Sequence, residues 1–110
     1  MKSRIMYIEC KAGSQEAREA HIGLVSFSKT GRSLYYASKT FRRIFGGTSD
    51  GNYRDVETGE SYWISGCKKR GDNRLYWERR IPVIIDEDVR TEYWVTIRNQ
   101  PENVNLAQIW

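Results

Sequence analysis

The chain has one histidine and two cysteines in 110 residues. These shortages exclude several classes of chemistry. His21 alone cannot build an imidazole metal centre, and Cys10 and Cys67 form no C-x-x-C pair. Two distant cysteines are no disulfide framework either; two reduced thiols are expected, with a single disulfide left open. The acidic string from Asp50 to Glu60 fails the calcium-loop pattern, because Arg54 and Ser61 stand where ligands belong. There is no G-x-S-x-G elbow and no lysine-bearing Gly-rich phosphate loop. No apolar run approaches the roughly 18–20 residues of a membrane span. Lys2 and Arg4 resemble the start of a signal peptide, but Glu9 and Lys11 cut the apolar stretch short. The expectation is a cytoplasmic, non-catalytic protein with no metal, no cofactor and no membrane partner.

What remains is aromatic and basic. Aromatic residues make up 13% against 39% hydrophobic in total, so large rings must build much of the core. The formal net charge is +4, with a sequence pI near 9.2. Its distribution is uneven: residues 1–56 hold ten Lys/Arg and five Asp/Glu, whereas residues 81–110 hold two and five. A polyanion would approach the first 80 residues.

The hydrophobic pattern is mostly of period two. Residues 4–9, 22–28, 33–37, 39–45, 53–56, 61–65, 75–77 and 81–85 read as strands or strand candidates. Residues 29–32 and 57–60 read as hairpin turns, with Gly59 at a left-handed position. Gly46 to Asn52 reads as a loop, and Lys11 to Ala20 as a polar loop or a short helix. Pro82 suits a strand start or edge. The period then changes: Val89, Tyr93 and Ile97 fall on one helix face, with Trp94 beside them. Asp86 or Asp88 is the expected cap, and Arg98 and Pro101 suit the helix end. The pattern predicts an α+β, mostly β, domain over residues 1–98. It is a small, strongly bent antiparallel sheet or SH3-like barrel of six to seven short strands with a C-terminal helix. Residues 99–110 form a tail that ends in Trp110 and either docks or stays free.

Four blocks carry a resemblance: Arg4 to Glu9, Gly23 to Tyr36, Asp55 to Lys69 and Ile85 to Trp94. Together they resemble a family of short bacterial proteins, over roughly residues 4–98; the third block is the specific one. Asn73 stands where that pattern has Asp, and Arg42-Arg43 makes the middle more basic. Members are often labelled 1-deoxy-D-xylulose-5-phosphate synthase. A thiamine-diphosphate site takes several hundred residues and a Gly-Asp-Gly diphosphate motif, and Ser49-Asp50-Gly51-Asn52 lacks the first Gly. The label does not fit a chain this short, so the resemblance implies no activity.

Two stretches carry the best functional signal. Arg42 and Arg43 lie among Phe41 and Phe45, and Lys68, Lys69, Arg70 and Arg74 lie just before Tyr76 and Trp77. Cations beside aromatics bind phosphates while bases stack. This points to a binding domain for an anionic partner, nucleic acid first. The alternative is a protein-interaction module, such as an immunity or regulatory protein, meeting an acidic protein partner. A third reading is a thiol-dependent enzyme: Cys67 precedes Lys68, Lys69 and Arg70, whose charge would favour thiolate. The acids Asp86, Glu87 and Asp88, and Glu57 with Glu60, are explained by a helix start and a turn.

Overall fold

The computed structural model describes residues 2–11, 19–48, 51–71, 73 and 81–109. Eight strands run in chain order: β1 (Lys2–Cys10), β2 (Ala20–Phe27), β3 (Ser33–Tyr36), β4 (Lys39–Thr48), β5 (Gly51–Asp55), β6 (Ser61–Gly66), β7 (Val83–Ile85) and β8 (Gln108–Ile109). The sheet order is β1-β6-β5-β4-β3-β2-β7-β8, and β1 also pairs with β2. The first six strands therefore close into an antiparallel barrel of the small SH3-like kind. Cα partners lead from Lys2 to Phe27, Leu34, Phe41 and Asp55. Through β6 they return to β1 near Lys11, whose N–H donates to the Ser61 carbonyl. That displacement is the stagger a small closed barrel requires.

β1 is apolar on both faces because it has a layer on each side. Met6 and Ile8 point into the barrel with Val25, Leu34, Phe41, Tyr53 and Ile64. Phe41 meets Tyr62 edge-on at 4.7 Å between ring centroids, a favourable aromatic geometry. Ile5 and Tyr7 point outward, into a second layer with Ile22, Val83, Ile85, Val89, Tyr93 and Trp94. Trp63 joins that outer layer while Tyr62 and Ile64 pack inward, the alternation expected of β6. Both cores exist because the helix covers the outside of β1 and β2.

The helical segment, residues 87–97, opens with a 3₁₀ turn (Glu87–Val89), continues through Arg90–Glu92 and ends in a wide π-type turn (Tyr93–Ile97). Its expected apolar face is the buried one. Its expected carboxylate cap is absent: Asp86 stands at the cap position without a side-chain cap bond. The Asp86 carboxylate is occupied by His21 and Tyr36. The tail docks. Trp94 Nε1–H donates to the Leu106 carbonyl at 2.9 Å, and β8 pairs with β7.

Two further expectations change. Gly46 to Asn52 is mostly strand, since β4 runs to Thr48 and β5 opens at Gly51. The register shifts between Arg43 and Thr48, and such an irregularity hides strand periodicity from a sequence reading. Residues 81–85 supply only the three-residue β7, which pairs with β2 in parallel rather than antiparallel fashion. The 57–60 turn is as expected, with Gly59 at φ +76°. Asp55 anchors it, accepting from the Glu57 N–H at 2.9 Å and from Lys39 Nζ at 3.2 Å. Those backbone and lysine donors hold the Asp55 carboxyl below the usual aspartate range, against burial. The strand read at Leu75-Tyr76-Trp77, and Trp110, lie outside the described residues.

Candidate functional site

Barrel topology sorts the charges into two ends. One end collects the start of β1, the 28–32 turn and the 67–71 loop. The other collects the end of β1, the start of β2 and the 56–60 turn. The first carries Lys2, Arg4, Lys29, Arg32, Lys68, Lys69 and Arg70, with no acid among its described residues. The second carries Glu9, Glu19, Asp55, Glu57 and Glu60. Its cations are matched: Lys11 lies 2.5 Å from Glu9 and Lys39 3.2 Å from Asp55. No cation of the first end is in an ion pair among the described residues. Among the described residues, then, lysines are neutralised at one end and left without ion pairs at the other.

A cleft opens at this basic end. It has a volume of about 1110 Å³ and is lined by Lys2, Ser3, Arg4, Phe27, Ser28, Lys29, Thr30, Gly31 and Tyr35. β1 supplies Lys2 and Arg4 because they continue the Met6–Ile8 row past the end of the core. β2 supplies Phe27, partnered with Lys2 across the ladder. The turn supplies Lys29 and the hydroxyls of Ser28 and Thr30. Gly31 closes that turn at φ +73°, its N–H donating to the Ser28 carbonyl at 3.0 Å, a conformation glycine adopts without cost. Three cations, three hydroxyls and two aromatic rings thus share one concavity. That set matches phosphate, sugar and base face in turn.

The 67–71 loop flanks the cleft on the other side of β1. It leaves β6 at Gly66, whose partner is Met6. An Arg4 guanidinium nitrogen comes so close to Gly66 that a Cβ there would lie 3.3 Å from it. The loop is tied down from within. Arg98 Nη1–H donates to the Lys68 carbonyl at 3.1 Å and the Gly71 carbonyl at 2.9 Å. The Lys68 N–H donates to Asn73 Oδ1 at 2.7 Å, and Asn73 Nδ2–H donates to the Tyr93 hydroxyl at 3.2 Å. Lys68, Lys69 and Arg70 are exposed on a loop whose backbone is held by the helix.

Arg42 and Arg43 are exposed on β4, beyond the 28–32 turn: the Arg43 N–H donates to the Arg32 carbonyl at 3.0 Å. Arg42 stands directly opposite Arg54 on β5, a like-charge pair that is unfavourable without an anion over it. The two basic stretches therefore approach the same end from opposite sides, and the cleft lies between them. Arg74 lies outside the described residues. In the sequence Lys2 and Arg4 read only as a signal-peptide-like start, and Lys29 only as part of a turn, because none has a basic residue directly beside it. The usable signal was the even-numbered row of β1, apolar at Met6 and Ile8 and cationic at Lys2 and Arg4.

Cys67 does not have the surroundings its neighbours in sequence suggested. Its thiol is largely buried and donates to the Ile5 carbonyl, with Sγ 3.6 Å from the oxygen. Burial pushes its pKa up to about 12; the cations that oppose this are Arg98 and Arg4, not Lys68 to Arg70. These surroundings favour the protonated thiol over the thiolate expected from the neighbouring lysines.

One polar constellation escaped the sequence reading. Asp86 Oδ1 lies 2.9 Å from His21 Nδ1, the Tyr36 hydroxyl donates to Asp86 Oδ2 at 2.5 Å, and Glu19 lies 3.0 Å from His21 Nε2. Burial and Asp86 hold the Tyr36 proton well above the ordinary tyrosine range. The Tyr36 hydroxyl is bound to Asp86 and both His21 nitrogens face carboxylates, so the group fastens β7 to β2 and β3. No cluster of three or more metal-ligating side chains exists among the described residues. No described helix is long and apolar enough to cross a membrane.

Comparison with known proteins finds no family model, curated protein or solved structure that matches the chain.

Proposed function

We propose that this protein is a non-catalytic binding domain whose basic end engages nucleic acid. The observation that carries this reading is the cleft lined by Lys2, Arg4 and Lys29 together with Phe27 and Tyr35. A polyanion gains from many unmatched cations at once through counterion release. The tied loop adds Lys68, Lys69 and Arg70 at little further cost in ordering, because its backbone is already fixed. Arg42 and Arg43 extend the field along the rim. An acidic protein partner would draw on the same charges and would pack on the same rings, so the oligonucleotide titration is what separates the two readings.

Fluorescence anisotropy with labelled oligonucleotides at rising salt tests the reading. Binding is expected at low salt and should weaken steeply as salt rises. With about four phosphates engaged, log K falls against log salt with a slope of roughly −3. The charge reversals Lys2→Glu, Arg4→Glu and Lys29→Glu, made together at exposed positions, should abolish binding while thermal melting stays near wild type. Failure of every oligonucleotide to bind at low salt would overturn the proposal.

A further inference from the structure

We infer that the preferred ligand is a single-stranded polynucleotide, RNA or DNA, running from the cleft across the start of β1 to the 68–70 loop, with a base stacked on Tyr35. This inference rests on the reading above and narrows it. Tyr35 is exposed, and with Phe27 it lines the same concavity as Lys2, Arg4 and Lys29. Base faces in a duplex are already stacked on each other and cannot reach such a platform. Unstacked bases of a single strand can, in a way that tolerates any sequence.

Charges lie on successive strands of the barrel wall: the loop after β6, then Lys2 and Arg4 on β1, then Lys29 after β2. From β6 to β3 the wall spans three interstrand spacings, or about 14 Å. At the roughly 3.4 Å per nucleotide of a stacked strand, that accommodates at most about four phosphates, and fewer where bases are unstacked and the backbone is extended. Arg4 joins the two halves, since it lines the cleft and its guanidinium also approaches Gly66 at the mouth of the loop. Arg98 does not touch the ligand on this reading. It is a positioning residue that holds Lys68 and Gly71 by their carbonyls.

Ser3, Ser28 and Thr30 stand around the cleft beside its cations. Ser3 and Ser26 hydroxyls lie 3.0 Å apart across the β1–β2 ladder. Ser28 Oγ already accepts from the Ser33 N–H and Thr30 Oγ1 from the Arg32 N–H, so their O–H groups remain to donate to the Watson–Crick edge of an unpaired base, which a duplex hides.

The test compares anisotropy titrations of one mixed sequence as single-stranded RNA, single-stranded DNA and duplex DNA. At least one single strand is expected to bind about tenfold or more tightly than the duplex. A preference for either sugar supports the inference and identifies the ligand. Tyr35→Ala should weaken single-strand binding about tenfold and leave the salt slope unchanged, because a stacking contact and no phosphate contact is lost. Tyr35→Phe should restore it. Lys68→Ala, Lys69→Ala and Arg70→Ala together should reduce the slope instead. Duplex binding as tight as single-strand binding would overturn this inference and leave the proposed function standing, as would a Tyr35→Ala variant with wild-type affinity. Loss of all oligonucleotide binding in the wild-type protein would overturn both.

Discussion

Cys67 Sγ donates to the Ile5 carbonyl and packs against the outer apolar layer. A thiolate there would lose water with only Arg98 and Arg4 to compensate. With its pKa raised to about 12 by burial, iodoacetamide at pH 7 should modify Cys67 roughly a hundredfold or more slowly than a small-molecule thiol. Peptide-level mass spectrometry measures this residue by residue. Alkylation at the rate of a free thiol would show that the side chain is solvated and reopen the nucleophile reading. Asp86 illustrates the same principle with a carboxylate. Sequence position made it a helix cap, but two partners 65 and 50 residues away claim both its oxygens. Contacts of that range are set by topology, and no local spacing announces them.

At the level of elements, the fork between β3 and β7 is the most demanding joint in the fold. β2 pairs with β7 through Ala20 to Ile22 and with β3 through Ser26 and Phe27, leaving Gly23 at the split. Tyr36 and Asp86 fill the space over it. A Cβ on Gly23 would lie 2.4 Å from the Tyr36 ring and 2.5 Å from Asp86 Oδ2. Gly23→Ala should therefore destabilise the protein by about 1–3 kcal/mol, the usual cost of forcing a methyl into a filled space. Urea unfolding measures it, and an unchanged midpoint would mean that Tyr36 is not seated there. The elements themselves were largely legible. The hairpins and the helix announce themselves through turn residues and a clean change of period. The Gly46-Gly47 stretch of β4 does not, because glycine has no side chain to alternate and the register slips there. The parallel pairing of β7 was equally hidden, since three residues carry no direction.

At the scale of the whole molecule, the described residues form a barrel whose cations without ion pairs gather at one end. Antiparallel order brings the start of β1, the 28–32 turn and the 67–71 loop to one end, although they are far apart in sequence. A linear count could place a positive excess in the first 80 residues and no more. It singled out runs such as Arg42-Arg43 and Lys68 to Arg70. The centre of the site is instead built from isolated cations, Lys2, Arg4 and Lys29, that only strand pairing assembles. The acidic end serves as an internal control, since its described lysines are already matched to carboxylates.

The central claim is that the cleft and its flanking loop are where nucleic acid binds. Backbone amide NMR of the protein titrated with a short single-stranded oligonucleotide tests it directly. The largest shifts are expected at residues 2–4, at 27–31, at Tyr35 and across 67–71, with the 56–60 turn and Glu19 unmoved. Shifts centred on the acidic end, or spread evenly over the barrel without saturation, would contradict the account.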